Sequence, residues 1–317
     1  MMPDYLKAGL LSLGLAVIGI PLLIPVLRSL GLGQYVREEG PGSHLHKSGT
    51  PTMGGIVFLV TIPVAVFFGS RPAAENLMAV FLVLAMGLLG FLDDYLKIRR
   101  RHSEGLTSRQ KIAGQLVVAL VFAAALWRAQ GGGLWLPLVD VYVDLGLFYI
   151  PLAVFVIIST VNGVNFTDGI DGLCSGVTFL VAVAFFLLCR AWGLSQLTSL
   201  AGALAGSCLG FLLYNLHPAR VFMGDTGALA LGGAVAALAL LSDTALLLPL
   251  LGIIYVAEVA SVILQVAYFR ATGGKRLFRM SPLHHHFELG GWKESRVDLL
   301  FWMVSAFAAM LFLWIAI

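Results

Sequence analysis

The chain has 317 residues, of which 59% are hydrophobic and only 12% are charged, about half the charged share of an average soluble domain. So few charges cannot cover a soluble surface of this size, which argues against a cytosolic enzyme, a disordered chain and a disulfide-rich secreted domain. A net charge of +3 is too small to indicate nucleic-acid binding, so no nucleic-acid partner is expected. The composition predicts a polytopic membrane protein.

The predicted elements are apolar runs of about 20 residues, the length that a membrane-spanning helix needs. They follow one another along the chain, and no internal repeat or linker separates them. We therefore predict an all-α, polytopic integral membrane protein that forms a single domain over residues 1–317. About ten spans are predicted, at residues 6–27, 52–70, 76–96, 112–128, 147–161, 173–190, 197–215, 227–241, 245–269 and 297–317.

The distribution of Lys and Arg predicts the orientation of the chain in the membrane. An even number of spans puts both termini on one side, and the loops on the opposite side carry 16 of the 20 basic residues. Because basic loops stay in the cytoplasm, we expect both termini to be periplasmic.

Two further features have structural interpretations. Residues 129–146 form the longest outer connection, and their alternation of apolar and polar residues predicts a small hairpin. The three cysteines, Cys174, Cys189 and Cys208, lie in apolar runs without metal-ligand spacing, so we interpret them as buried free thiols.

Five carboxylates lie at or just inside span ends, and all five fall on the predicted cytoplasmic side. They are Asp93, Asp94, Asp168, Asp171 and Asp225. Carboxylates at a membrane interface are costly unless they are paired or used, so we expect a shared polar site in a cleft that opens to the cytoplasm. Asp93 and Asp94 are helix neighbours and point about 100° apart, which predicts different roles for them.

Two of the acidic segments leave alternatives open. If residues 162–172 are helical, their polar side chains, one at every third position, fall on or near one stripe. Asp225 lies between two glycines at a helix start, which suits a metal ligand and also suits a plain N-cap.

The oxygen-rich surroundings of these acids, without a nearby cysteine, favour Mg²⁺ or Mn²⁺ over zinc. Proteins usually hold Mg²⁺ with one or two carboxylates and the phosphates of a substrate. The surplus of acids beside basic loops therefore indicates a substrate that carries phosphate.

The last predicted cytoplasmic loop contains three consecutive histidines, His284, His285 and His286. They cannot share one helix face, which argues against the paired histidines of a zinc helix, and we expect them to donate to a pyrophosphate. Before them, residues 275–280 alternate basic and apolar side chains, which is typical of a segment lying on membrane lipids.

Two polar residues lie within the predicted span 245–269. Glu258 is near its middle, where we interpret it as a bundle-facing acid that hydrogen-bonds to a neighbouring helix. Gln265 is near the cytoplasmic end, close enough to the site to contact substrate.

The motifs together resemble a known family. In chain order they are Thr50-Pro-Thr-Met-Gly-Gly55, Asp93-Asp-Tyr95, Asn162 to Gly172, Asn215 to Gly227, and His284-His-His-Phe-Glu288. The pattern closely resembles the phospho-N-acetylmuramoyl-pentapeptide transferases, a branch of the polyprenyl-phosphate N-acetylhexosamine-1-phosphate transferases. The resemblance covers essentially the whole chain, and its first and last motifs are the more specific to the muramoyl branch.

The resemblance implies a reaction at the cytoplasmic face of the bacterial inner membrane. Phospho-MurNAc-pentapeptide passes from UDP-MurNAc-pentapeptide to undecaprenyl phosphate, which gives lipid I and UMP and begins the membrane stage of peptidoglycan synthesis. The family requires Mg²⁺, for which we expect that Mn²⁺ can substitute. The oligomeric state stays open, with a homodimer as one alternative.

The resemblance also assigns site residues. Asp225 matches the metal ligand, and Asp93, Asp94 and His284 match catalytic positions. Phe222 is expected to stack on uracil, while Arg109 and Lys111 are alternative matches to one basic position. The complete expected substrate-binding set is Lys47, Thr52, Lys97, Arg109, Lys111, Asn162, Asn165, Asp168, Gly169, Ile170, Asp171, Asn215, Phe222, Gln265, His285 and His286.

Two other functions stay open. A sister enzyme of the superfamily would transfer GlcNAc-1-phosphate instead. A secondary transporter would carry ionisable residues near the membrane midplane and internal symmetry, and only Glu258 lies centrally in the predicted spans. For the transferase, we prefer direct attack by the lipid phosphate to a covalent phospho-aspartate. We expect one aspartate of the pair, Asp93 in preference to Asp94, to deprotonate or orient that phosphate.

Overall fold

The computed structural model describes residues 2–33, 49–70, 73–100 and 105–317, which fold into a helical bundle with one short hairpin. A 3-10 turn, Gly146–Phe148, leads into α5. The elements are α1 Asp4–Ser29, α2 Ile56–Gly69, α3 Ala74–Arg100, α4 Ser108–Gln130, β1 Gly133–Leu136, β2 Val141–Asp144, α5 Tyr149–Thr167, α6 Leu173–Ala191, α7 Ser195–Asn215, α8 Gly224–Leu241, α9 Leu248–Leu251, α10 Ile253–Ala271, α11 Leu283–Glu288 and α12 Glu294–Ala316.

Nine helices in the described part of the chain are long and apolar enough to cross a membrane, namely α1, α3 to α8, α10 and α12. The helix α2 is also apolar but has only 14 residues, or about 21 Å, against a hydrocarbon core of about 30 Å. The expectation of an all-α polytopic membrane protein is confirmed. The tenth full span and the periplasmic termini stay predictions.

The structure corrects the predicted span 245–269, which is not one helix. It breaks at Gly252, which ends the short α9 and begins α10, and Pro249 in the first turn of α9 favours a new helix start there. Glu258 therefore lies in the second turn of α10 and not in the middle of a continuous span.

The hairpin predicted in residues 129–146 is confirmed. The strands β1 and β2 pair antiparallel, with Trp135 opposite Tyr142. The Trp135 ring packs edge-on against Trp192 at a centroid distance of 5.3 Å. Because Trp192 directly follows α6, the hairpin is anchored to the end of the bundle at which α6 finishes.

The helix α8 lies at the centre of the bundle and is buried from Thr226 to Leu241. Its glycines and alanines let the backbones of α3 and α5 approach closely, as small residues do in membrane bundles. A Cβ at Gly90 of α3 would overlap the carbonyl oxygen of Asp225, and a Cβ at Gly232 would lie 2.6 Å from Cα of Val161 in α5. This packing brings the N-terminus of α8 between the C-terminal parts of α3 and α5.

The three cysteines are fully buried and unpaired, which confirms their interpretation as buried free thiols.

Candidate active site

Three carboxylates converge where the C-terminal part of α3 meets the first turn of α8. Asp93, Asp94 and Asp225 each offer one oxygen, and these oxygens lie within 4.8 Å of one another. We call this group the acidic centre. Asp93 and Asp94 are almost completely buried. They lie where α3 packs against α8.

Asp94 caps the start of α8 from a neighbouring helix. Its carboxylate accepts hydrogen bonds from the backbone N–H groups of Asp225 and Thr226, at 3.2 and 2.9 Å, and from the Thr226 hydroxyl at 2.7 Å. Asp225 itself makes no side-chain cap, because the N-cap position is Met223. The N-cap interpretation of Asp225 is therefore wrong, and Asp94 satisfies the orphan donors instead.

Asp93 has different partners from Asp94, as their angular separation on the helix predicts. Its Oδ1 accepts the backbone N–H of Leu106 at 2.7 Å. Its Oδ2 lies 2.6 Å from Nζ of Lys97, one turn further along α3. Asp93 therefore faces the segment that leads into α4, whereas Asp94 faces the N-terminus of α8.

Asp225 gathers side chains from three other helices. Its Oδ2 accepts from Nζ of Lys97 at 2.7 Å and from Nζ of Lys111 at 2.8 Å. Its Oδ1 accepts from the side-chain amide of Asn165 at 2.7 Å. Two ammonium groups thus face three carboxylates, which leaves one negative charge uncompensated when all five groups are ionised.

The structure distinguishes the two alternative basic residues of α4. Lys111 reaches both Asp225 and, at 3.4 Å, Asn165, whereas Arg109 is exposed on the same helix. Residues two apart on a helix face nearly opposite directions, so only one of them can face the acidic centre.

The polar stripe considered for residues 162–172 does not form over its whole length, because α5 ends at Thr167. Asn165 faces the acidic centre, while Asn162 pairs with Gln115 of α4 through an amide hydrogen bond of 2.7 Å. Asp168 is the half-buried C-cap residue that follows α5, and Asp171 lies three residues further on.

A second group of potential ligands surrounds Asp171. Its Oδ2 lies 3.0 Å from Nδ1 of His217 and accepts the backbone N–H of Ala219 at 3.0 Å. Glu294 accepts the backbone N–H of Asp171 at 3.2 Å and lies 3.8 Å from the same His217 nitrogen. The place of His217 and Glu294 beside Asp171 could not be predicted from the sequence, since they come from segments far apart in the chain.

The three histidines of α11 have three different partners. Nδ1 of His284 lies 3.1 Å from Glu258, and Nδ1 of His285 lies 2.7 Å from Glu288. Nδ1 of His286 accepts the backbone N–H of Arg279 at 3.1 Å. Within the described residues, neither group of three potential metal ligands contains a histidine of this tract.

Glu258 is fully buried and hydrogen-bonds to α11, which confirms its interpretation as a hydrogen-bonded, bundle-facing acid. Its pairing with His284 was not part of that prediction. The break at Gly252, which brings Glu258 close to the start of α10, could not be read from an apolar run alone.

Four other residues of the expected substrate-binding set do not belong to the acidic centre itself. A Cβ at Gly224 would lie close to both the Thr52 hydroxyl and the Asp94 carboxylate, so Thr52 borders the acidic centre. Gly169 packs against the ring of His284, and Ile170 is buried. Phe222 pairs through its backbone with Pro51 and Gly54.

The side chains of Asn215 and Gln265, two expected substrate-binding residues, hydrogen-bond to backbone groups of the protein. Asn215 accepts the backbone N–H of Gly172 and donates to the carbonyl of Val221. Gln265 accepts the backbone N–H groups of Leu277 and Phe278, which holds the loop after α10. Lys47 lies outside the described residues.

Comparison with known proteins gives one consistent result. Residues 76–243 match the glycosyl transferase family 4 profile, and residues 47–59 match phospho-N-acetylmuramoyl-pentapeptide-transferase signature 1. The phospho-N-acetylmuramoyl-pentapeptide-transferase of Heliobacterium modesticaldum is 52% identical over 294 residues, which are 92% of this chain and 91% of that protein. Proteins of the same name from Moorella thermoacetica and Bacillus pumilus are 49% and 48% identical, over 98% and 96% of this chain and 98% and 95% of their own lengths. The family profile covers the whole acidic centre, and the signature covers Thr52.

Proposed function

The chain belongs to the phospho-N-acetylmuramoyl-pentapeptide-transferase family, and from this premise we propose that it transfers phospho-MurNAc-pentapeptide from UDP-MurNAc-pentapeptide to undecaprenyl phosphate. The products are lipid I and UMP. The observation that carries the proposal is the acidic centre, in which three carboxylates meet two lysines at one end of the bundle. Phosphoryl transfer consists mostly of positioning and charge stabilisation, and this arrangement offers groups for both.

The donor set fits Mg²⁺. The oxygens of the acidic centre are the hard ligands that Mg²⁺ prefers, and proteins commonly supply only one or two of them beside the substrate phosphates. We assign Asp225 to the ion and leave Asp93 for the acceptor, while three hydrogen bonds hold the Asp94 carboxylate at the start of α8. A bound Mg²⁺ or Mn²⁺ would neutralise charge that develops on the donor pyrophosphate.

The residues of the chain then take separate roles. Lys97 and Lys111 stabilise the anionic phosphates, and Asp93 orients or deprotonates the acceptor. The second pKa of a phosphate monoester is about 6, so the lipid phosphate is largely dianionic at neutral pH and a base has little proton transfer to perform. We therefore favour direct attack on the β-phosphorus of the donor, with UMP as the leaving group.

A covalent phospho-aspartate is the alternative mechanism. Incubating the protein with donor labelled in its sugar, without lipid acceptor, distinguishes the two routes. We expect no labelled protein after denaturation, and a labelled aspartate would contradict direct attack.

The proposed location of the reaction is the cytoplasmic face of the bacterial inner membrane. It is supported by the acids, which lie where α3 and α5 end and α8 begins, and by the basic loops that the sequence places on the same side. The uridine-side roles of Asn165, Asp168, Asp171 and Phe222 are part of the same proposal.

The experiment that tests the function measures UMP release by the purified protein in detergent, with Mg²⁺ and undecaprenyl phosphate. We expect release with UDP-MurNAc-pentapeptide and none when the lipid phosphate is omitted. UDP-GlcNAc serves as the competing donor, and faster release from it would favour the sister transferase. Because detergent removes any membrane gradient, turnover also separates an enzyme from a transporter.

A further inference from the structure

Two amide side chains join α4 to α5 one helical turn away from the residues that contact Asp225. Gln115 of α4 is 0% exposed, and its Oε1 accepts a hydrogen bond from Nδ2 of Asn162 at 2.7 Å. Its Nε2 lies 3.4 Å from Oδ1 of Asn162. The Asn162 amide also donates to the carbonyl of Ile158, one turn earlier in α5, at 2.8 Å. The two amides therefore meet through both of their ends, and we call Gln115 and Asn162 the amide pair.

The amide pair is one of two neighbouring contacts between the same faces of α4 and α5. Lys111 lies four residues before Gln115, and such residues share one helix face. In the same way, Asn165 lies three residues after Asn162 on α5. Nζ of Lys111 is 3.4 Å from Oδ1 of Asn165, and both side chains contact Asp225, at 2.8 and 2.7 Å. The amide pair thus lies directly beside the contact that brings α4 and α5 to the acidic centre.

Apolar packing alone does little to fix the rotation of α4 in a membrane. Lipid tails are as apolar as leucine, so burying one apolar face of a helix in place of another contributes little free energy. The large aliphatic side chains that α4 leaves exposed are Ile112, Leu116, Val117, Leu120 and Val121. Between Lys111 and Arg128, Gln115 is the one residue with an amide or charged side chain.

An amide that turns toward lipid loses its hydrogen bonds, which is costly in hydrocarbon. A rotation of α4 that carried Lys111 away from Asp225 would also carry Gln115 away from Asn162. The rotation that keeps the amide pair is therefore the one that points Lys111 at the acidic centre. The two amides are 47 residues apart in the chain, so no local sequence pattern reveals their contact.

We propose that Gln115 is a positioning residue of the transferase, which through Asn162 fixes the rotation of α4 and so holds the ammonium group of Lys111 at Asp225. Gln115 contacts no substrate and acts only through Lys111. The proposal also assigns Asn162 to the amide pair in place of the substrate contact that the sequence predicts for it. It rests on the proposed function, because that function supplies the phosphates that Lys111 binds.

Gln115→Leu tests the inference, because it removes the amide group and keeps most of the bulk of the side chain. Hydrogen bonds between side chains of neighbouring membrane helices shift an equilibrium by about threefold on average and by about 20-fold at most. We expect kcat/KM for UMP release to fall by about 5- to 20-fold, toward the upper end of that range because Gln115 is completely buried.

The matched control is the same substitution in another amide contact between two helices. Gln196 of α7 accepts a hydrogen bond from Asn76 of α3 at 2.9 Å. Asn76 lies in the first turn of α3, whereas Asp93 lies in its C-terminal part, so this contact is remote from the acidic centre. We expect Gln196→Leu to keep kcat/KM within about twofold of the wild type. An equal loss in both variants would show that any broken amide contact between helices lowers activity, and this would overturn the positioning role.

Two double variants separate positioning from stability. Gln115→Leu/Asn162→Leu leaves neither amide without its partner, so its melting temperature should recover relative to Gln115→Leu. Its kcat/KM should stay low, because no polar contact fixes the rotation of α4. The exchange Gln115→Asn/Asn162→Gln keeps both amides and their combined length, and it should bring kcat/KM back to within about threefold of the wild type.

These double variants also give a result when Gln115→Leu does not fold. Recovery of activity together with melting temperature in Gln115→Leu/Asn162→Leu would mean that the amide pair serves stability alone, which would overturn the proposal. No recovery in the exchanged variant would return Asn162 to the substrate and would overturn it as well.

A Lys111→Met background tests whether Gln115 acts through Lys111. We expect Gln115→Leu to cause less than about twofold further loss of kcat/KM there, because the group that it positions is already gone. Losses that multiply would show that Gln115 acts independently of Lys111, contrary to the proposal.

Labelling of amines, followed by mass spectrometry, reads the position of Lys111 without turnover. The Lys111 side chain is 17% exposed and lies 2.8 Å from Oδ2 of Asp225, and Lys7, which is 43% exposed in α1, serves as the reference. We expect the labelling of Lys111 relative to Lys7 to rise in Gln115→Leu and to stay unchanged in Gln196→Leu. An unchanged ratio in Gln115→Leu would overturn the proposal. A raised ratio in a protein whose wild type releases no UMP would support the role of Gln115 toward Lys111 and contradict the proposed function instead.

Discussion

Replacing Lys111 by methionine is a sharp test of the acidic centre, because the same helix supplies its control. Lys111→Met removes the ammonium group and keeps most of the length of the side chain. Arg109→Met removes a positive charge two residues earlier, from a side chain that is exposed. Both variants lower the net charge of α4 equally, so they differ only in whether the lost charge faces Asp225.

The structure gives the size of the expected loss. Lys111 Nζ and Asp225 Oδ2 are 2.8 Å apart, and the two side chains are only 17% and 15% exposed. In the proposed reaction Lys111 binds the substrate phosphates, and a hydrogen bond to such a charged partner contributes about 1.5–3 kcal/mol, which corresponds to a factor of about 10 to 150. Lys97 stays 2.7 Å from the same oxygen, so Asp225 keeps one counter-charge and the loss should not be complete.

The assay is kcat/KM for UMP release from UDP-MurNAc-pentapeptide at saturating Mg²⁺. We expect Lys111→Met to lose about 10- to 150-fold and Arg109→Met to stay within about twofold. An equal loss in the two variants would refute the assignment, because it would show that the general charge of α4 matters and not the contact with Asp225.

Three other substitutions test separate parts of the site and the fold. Asp225→Asn should abolish turnover without unfolding the protein, and near-normal activity at saturating Mg²⁺ would contradict its role as metal ligand. Gly90→Ala should lower both activity and thermal stability, because the added Cβ overlaps the backbone of Asp225. Gly114→Ala is its control, because there the added Cβ meets only the flexible end of Leu89, at 2.8 Å. Replacing Cys174, Cys189 and Cys208 together by alanine should leave kcat within about twofold while lowering the melting temperature, and complete loss of activity would show that a thiol has a function.

The helices and the hairpin could be predicted because each depends on a local pattern. A span follows from about 20 consecutive apolar residues, and the strand pair follows from alternation within residues 129–146. The break at Gly252 could not be predicted in this way, because the residues on both sides of it are equally apolar. Pro249 and Gly252 are the local signals for it, and they lie within an otherwise apolar run.

The residue types of the acidic centre could be predicted, but their individual roles could not. Asp93 and Asp94 are adjacent in sequence, and only the position of α8 shows that Asp94 caps that helix while Asp93 contacts Lys97. Lys111 and Arg109 are both long basic side chains near the start of α4. The rotation of α4 about its axis decides between them, and the chain carries no local signal for that rotation.

The hydrogen bonds at the start of α8 explain why lysines are needed beside a helix N-terminus. Such a terminus normally binds phosphate through its free N–H groups and its dipole. Here the N–H groups of Asp225 and Thr226 donate to Asp94, and that of Gly227 donates to the carbonyl of Met223. These donors are therefore not free for a phosphate, and the charge that attracts the substrate must come from side chains or a metal ion. Lys97 and Lys111 supply that charge, but both contact the same oxygen of Asp225. We expect that metal binding at Asp225 displaces them toward the phosphates, so that the lysines and the metal ion act on the substrate together and not in competition.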